Sequence, residues 1–111
     1  MRTLSVTFLA AEDVCAMICR CAAKDSNLLM NIGPDGSGQL PARAVEVMAD
    51  VGKWMRANGS AIYGTRGLGL VKNPDGSETG KTKSGDVVYV ILIPKDAMGY
   101  PKVERLPAEH G

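Results

Sequence analysis

Three groups of residues in this 111-residue chain have types and spacings that could do chemistry. Cys15 and Cys19 stand one helical turn apart with Cys21 close by, so two thiols could face one soft metal. Zinc sites draw ligands from more than one segment, and the single histidine, His110, lies at the far end of the chain. Burial as small apolar side chains is therefore the expected fate of these thiols. One terminal histidine also leaves no serine-histidine-aspartate arrangement to argue for. The second group is Gly33-Pro34-Asp35-Gly36-Ser37-Gly38, a loop between an apolar run and a helical pattern that could cradle a phosphate on its N–H groups. It has neither the G-x-G-x-x-G spacing nor the Walker lysine and hydroxyl, and Asp35 would repel a phosphate. The third group is the carboxylates. Glu12, Asp13, Glu46 and Asp50 fall on the polar sides of helical segments, where charges are solvated. Asp35 stands apart from them, because it and Asn31 flank the end of an apolar run.

The elements that position these residues follow from periodicity. Val14, Met17, Ile18 and Cys21 recur on one helical face and predict a helix over 11–24, with Glu12 and Asp13 in its first turn and Arg20 and Lys24 near its end. Asp25-Ser26-Asn27 stops it. Leu28, Leu29, Met30 and Ile32 lack strict alternation, which predicts a strand buried on both faces, as in a parallel sheet. Pro41 suits the first turn of a second helix, over 41–58, whose stripe is Val47, Met48, Val51, Trp54 and Met55. Trp54 at that spacing reads as core. Asn58-Gly59 is expected to end the helix in a left-handed cap.

Beyond Tyr63 the glycines give no helical period, so a loop region or the entry to something else is expected there, with a turn at Asn73-Pro74-Asp75-Gly76. Val87–Ile93 is the strongest strand signal, Pro94 closes it, and the tail from Lys95 reads as irregular. Helix, strand, loop and helix in succession are the rhythm of an α/β protein. One strand cannot make a sheet, however. Its neighbours are expected from a longer chain, from an oligomer, or from residues 87–93.

Composition limits the partners. Thirteen Lys and Arg against twelve Asp and Glu leave a net charge of +1, which lacks the footprint of a nucleic-acid binder. The longest apolar run, Val87–Ile93, is far short of the roughly 20 residues that span a bilayer, and the mixed start at Met1-Arg2 argues against a secretory signal. No distant cysteine is present to build a disulfide framework.

Ser26-Asn27-Leu28-Leu29-Met30-Asn31-Ile32-Gly33-Pro34, continuing through Asp35 to Pro41, together with Val51-Gly52-Lys53-Trp54-Met55-Arg56-Ala57-Asn58-Gly59-Ser60-Ala61-Ile62-Tyr63-Gly64-Thr65-Arg66, closely resembles the α-L-fucosidases of glycoside hydrolase family 29. The resemblance implies an α/β fold: a partial (β/α)8 barrel, its last helix-strand-helix unit, followed by the beginning of a β-sandwich domain. Residues 1–66 would end the catalytic barrel, and 67–111 would start the C-terminal β-domain and its tail. Because a full barrel takes about 250 residues, the chain would be a C-terminal fragment. The activity implied is retaining hydrolysis of terminal α-L-fucose from glycans, through a covalent intermediate on an Asp, with no metal and no cofactor.

The family's nucleophile and acid/base lie N-terminal to everything matched, so no catalytic residue is expected on this chain, which would be inactive alone. Asn31 and Asp35 would be substrate-proximal, because the loop after a barrel strand lies on the face that holds the site. In a purely structural role, Asn31 would bond loop backbone and Asp35 would make an Asx turn. Expected partners are a fucosylated glycan for the parent enzyme and self-association through uncovered apolar edges, with no nucleic acid and no membrane span. A rival expectation is a non-catalytic α/β remnant domain acting in protein–protein association. Three positions depart from the family pattern. Ala10 stands where a capping Ser is usual, at a cost of roughly 1 kcal/mol and an expected frayed start; Gly67 replaces a frequent Pro, and Ser37 a frequent Asp.

Overall fold

A computed structural model describes residues 2–5, 10–26, 28–31, 42–95 and 98–107. The predicted first helix is α1, Ala11–Ala23. Its buried residues are not one stripe: Val14, Cys15 and Cys19 have no exposed surface, and Ala16, Cys21 and Ala23 are buried with them. The reason is position, since a second helix packs on one side of α1 and an antiparallel sheet on another. Ala10 has extended backbone and no side-chain cap, as its type dictates. The Asp13 carboxylate nevertheless accepts the Ala10 N–H at 3.2 Å, which is the return half of a capping box. At the other end, Ser26 N–H donates to the Cys21 carbonyl at 2.8 Å and Asp25 N–H to the Ala22 carbonyl at 3.1 Å. This is a Schellman closure with Asp25 left-handed at φ 59°.

The strand predicted after α1 forms as β2, Leu28–Asn31, with β1, Arg2–Ser5, parallel beside it. β1 went unread because four residues carry too little pattern. Its presence corrects one expectation: the strand at 87–93 does not complete this sheet. Asn27, Ile32, the loop 33–38 and Pro41 lie outside the described residues.

The second helix is α2, Ala42–Asn58, burying Ala44, Val47, Val51 and Trp54. Trp54 is core, as expected, and its Nε1–H donates to the Pro101 carbonyl at 3.0 Å. The left-handed cap at Gly59 is not found. Instead the chain tightens into a 3-10 turn, Gly59–Ala61, against which the exposed Tyr63 ring packs, 2.9 Å from where a Cβ on Gly59 would stand. The left-handed glycine comes later, at Gly64.

The expected loop region and irregular tail are largely sheet. β3 (Arg66–Lys72), β4 (Glu78–Ser84), β5 (Val87–Ile93) and β6 (Lys102–Pro107) form an antiparallel sheet in chain order. β5 has the predicted bounds, and the turn at residues 73–76 is where its residue types put it, with Gly76 N–H donating to the Asn73 carbonyl at 3.0 Å. β3 and β4 escaped reading because contact with α1, not strand propensity, chose their residues. Gly80 faces Ala23, whose Cβ would be 2.8 Å from any added Cβ. Thr82, with no exposed surface, donates its hydroxyl to the Ala61 carbonyl at 2.7 Å. Tyr89, Ile91 and Ile93 complete this inner face, which shares one core with α1 and α2.

Alternation along β5 makes a clean test. Ile91→Ala is expected to lower the unfolding free energy by about 2–5 kcal/mol, whereas Leu92→Ala, 44% exposed on the outer face, should cost about 1 kcal/mol or less. Urea midpoints measure both; equal losses would contradict the facing.

Candidate functional site

Asn31 is the last residue of β2 and stands in register with Ser5, the last residue of β1. Both therefore lie at the carboxyl end of a parallel strand pair, the end beyond which α/β proteins assemble their sites. Ser5 was invisible as a candidate, since nothing in Arg2-Thr3-Leu4-Ser5 announces a strand. Asp35 lies outside the described residues.

The helical carboxylates are placed elsewhere. Asp13 is committed to the Ala10 N–H, and Glu46 pairs with Arg43 at 3.9 Å on the surface of α2. Asp50 borders a shallow groove of about 320 Å³ with Lys53, Trp54, Asn58 and Tyr100. Partial burial raises the Tyr100 phenol, and the charges of Glu12 and Asp50 add to the effect. The Asp75 carboxyl, in the β3–β4 turn, is held below its usual range by the Ser77 hydroxyl and N–H, at 2.6 and 2.9 Å.

A polar cleft of about 570 Å³ opens where α1 ends, lined by Ile18, Cys21, Asp25, Ser26, Thr65 and Arg66 among others. It is at the amino end of β2, opposite to Asn31. Its charged groups are occupied in holding the chain together. Asp25 Oδ2 pairs with Arg66 Nη2 at 2.6 Å, and its Oδ1 accepts the Gly67 N–H at 3.0 Å. Nearby, Arg20 Nε donates to Glu78 Oε1 at 2.7 Å, joining α1 to β4.

The three thiols are free and buried. Burial pushes the Cys15 thiol up to about 12, with the Glu12 charge adding to it. Cys19 is pushed up further by burial and then by Cys15, against an opposing pull from Arg20. Both therefore stay protonated at neutral pH, as expected of thiols packed as small apolar side chains. Among the described residues no three of His, Cys, Asp or Glu gather into a group able to hold a metal.

Comparison with known proteins agrees across sequence and structure. The family model for alpha-L-fucosidase matches residues 2–60. The alpha-L-fucosidase of Branchiostoma floridae is 31% identical over 86 residues, covering 78% of this chain and 19% of that protein. The plasma alpha-L-fucosidase of Homo sapiens is 33% identical over 89 residues, with the same two coverages. This chain thus spans about a fifth of the length of the curated relatives it matches. Among solved structures, Thermotoga maritima alpha-fucosidase superposes with a TM-score of 0.74 at 28% identity, over 81% of this chain and 25% of that one. The alpha-L-fucosidase isoenzyme 1 from Paenibacillus thiaminolyticus does so with a TM-score of 0.71 at 28% identity, over 87% and 25%. Coverage this broad runs past residue 60 into the antiparallel sheet.

The raised thiols give the chain a measurable alkaline weakness. The native state keeps protons that the unfolded chain releases near pH 9, so stability is unaffected below that pH and falls above it, until Cys15 itself ionises at about 12. Thermal midpoints followed through pH 9 are expected to decline less steeply in a Cys15→Ala/Cys19→Ala double variant than in the parent chain. Equal slopes would show that the thiols carry none of the effect.

Proposed function

Because this chain belongs to the α-L-fucosidase family, we propose that it is a segment of an enzyme that removes terminal α-L-fucose from glycans with retention of configuration. The observation that carries this reading is the agreement with solved fucosidases at a TM-score of 0.74, which extends beyond the family-model match and into the sheet.

A retaining glycosidase holds two carboxyl groups about 5–5.5 Å apart. One attacks the anomeric carbon and forms a glycosyl ester as the bond to the leaving group breaks. The other protonates the departing oxygen and then takes a proton from the water that cleaves the ester. Written so, the reaction uses two carboxyl groups and water, with no metal or cofactor. In this reading both carboxyls belong to earlier barrel strands outside this chain. The parallel pair β1–β2 is the closing wall of the barrel, and α1 and α2 are its outer helices. Residues 1–66 then end the barrel. Asn31 and Asp35 stand at the rim of the sugar pocket, where an amide and a carboxylate suit the hydroxyl groups of fucose.

Residues 67–111 begin the β-sandwich domain. The outer face of their sheet fits the role of one sandwich layer, because Val71, Leu92 and Leu106 are apolar and 44–64% exposed. A second sheet would cover them.

The isolated chain is expected not to hydrolyse an aryl α-L-fucoside. Turnover that vanished on substitution of a carboxylate within these 111 residues would place the chemistry here and overturn the assignment. In the complete enzyme, Asn31→Ala is expected to raise KM for the fucoside about tenfold, the scale of one lost polar contact. An unchanged KM would remove Asn31 from the rim.

A further inference from the structure

Asp25 occupies the position just past α1, where a left-handed residue closes the helix and glycine is the usual choice. Among the described residues it is the sole non-glycine with positive φ. Its side chain is what a glycine would lack. Oδ1 accepts the Gly67 N–H at 3.0 Å, and Oδ2 meets the Arg66 guanidinium at 2.6 Å. The start of β3 is seated directly on the last turn of α1: a Cβ at Gly67 would lie 2.4 Å from the Ala22 oxygen, the Ala23 oxygen and the Asp25 nitrogen. Arg66 thereby brings a positive charge to the negative end of the helix. β2 departs from the same turn, beginning at Leu28.

We propose that Asp25 is a latch. Its carboxylate fastens the first strand of the antiparallel sheet to the end of α1, and so fixes the point from which β2 runs toward Asn31. Asp25 is in these terms a positioning residue. Its bearing on a fucose site rests on the function proposed above, whereas the latch itself is a property of this chain.

The two roles open to Asp25 predict opposite results for one substitution. A residue that merely ends the helix is improved by Asp25→Gly, so the thermal midpoint of the full chain would hold or rise. The latch predicts a midpoint lower by about 4 °C and Gly67 amide exchange about tenfold faster, with Ile91 as the core reference. Asp25→Asn tolerates the left-handed conformation and keeps an acceptor, so Gly67 should stay slow. A midpoint for Asp25→Gly at or above that of the parent chain overturns the proposal. Should Asp25→Gly fail to fold, Asp25→Asn decides: retained protection at Gly67 supports the latch, and free exchange there in a folded chain overturns it. None of these readouts involves fucoside hydrolysis, so failure of the latch and failure of the enzymatic reading are separately visible.

Discussion

The fold depends on covering α1 from two directions at close range. A helix packed on one neighbour shows a single apolar stripe, and a helix packed on two must be small or apolar around much of its circumference. α1 meets that demand with alanines and cysteines: Ala11, Cys15, Ala16, Cys19, Cys21 and Ala23 are all buried. Small side chains on the helix are matched by missing ones on the sheet. Gly80 lies against Ala23, and Gly67 lies against the backbone of the last turn. Interiors pack as tightly as organic crystals, so a methyl group at either glycine has nowhere to go. The burial of the thiols, the glycines at 67 and 80 and the position of the latch all follow from this one requirement.

The same requirement separates what the sequence reveals from what it conceals. α2 and β5 were legible because burial on one side, or on both, leaves its mark in their own residues: Val47, Val51 and Trp54 in the helix, Tyr89, Ile91 and Ile93 in the strand. β3 and β4 were not legible. Gly67 and Gly80 answer to α1, some forty or more positions away in sequence, and strand propensity says nothing of such contacts. Thr82 reads as polar and exposed, yet it is buried because its hydroxyl finds the Ala61 carbonyl. Asp25 hides its role equally well, for an aspartate after a helix is an ordinary turn residue until its partners across the chain are known. Of the candidate site, the strand carrying Asn31 was legible through its apolar run and its family resemblance. The neighbouring strand end at Ser5 was not, because β1 is too short to carry a pattern.

Besides the Asp25 contacts with β3, polar contacts join the helices and their connection to the sheet and its approach: Arg20 with Glu78, Trp54 with Pro101 just ahead of β6, and Thr82 with Ala61. Each is worth little as net stability, since folding exchanges water contacts for protein ones. Their effect is geometric. A buried donor left without its acceptor is costly, so alternative seatings of the sheet on α1 are disfavoured more strongly than the native one is favoured. The apolar core supplies the cohesion, and these bonds choose the register.

That division of labour bears on where chemistry can occur. Arg20 and Glu78 bind each other, Arg66 binds Asp25, and Asp13 binds the start of its own helix. Groups so engaged hold elements in place, and turning one toward a ligand breaks a contact that positions an element. The thiols are buried within the core rather than facing a ligand. At the carboxyl end of the parallel pair, Ser5 and Asn31 close their strands side by side. In an α/β protein that end is where side chains can meet a ligand without dismantling the fold. The scaffold built around α1 therefore does its work at a distance. By tying helices and sheet into one body at the amino end of β2, it holds the opposite end in place, where the proposed function puts the rim of the sugar pocket.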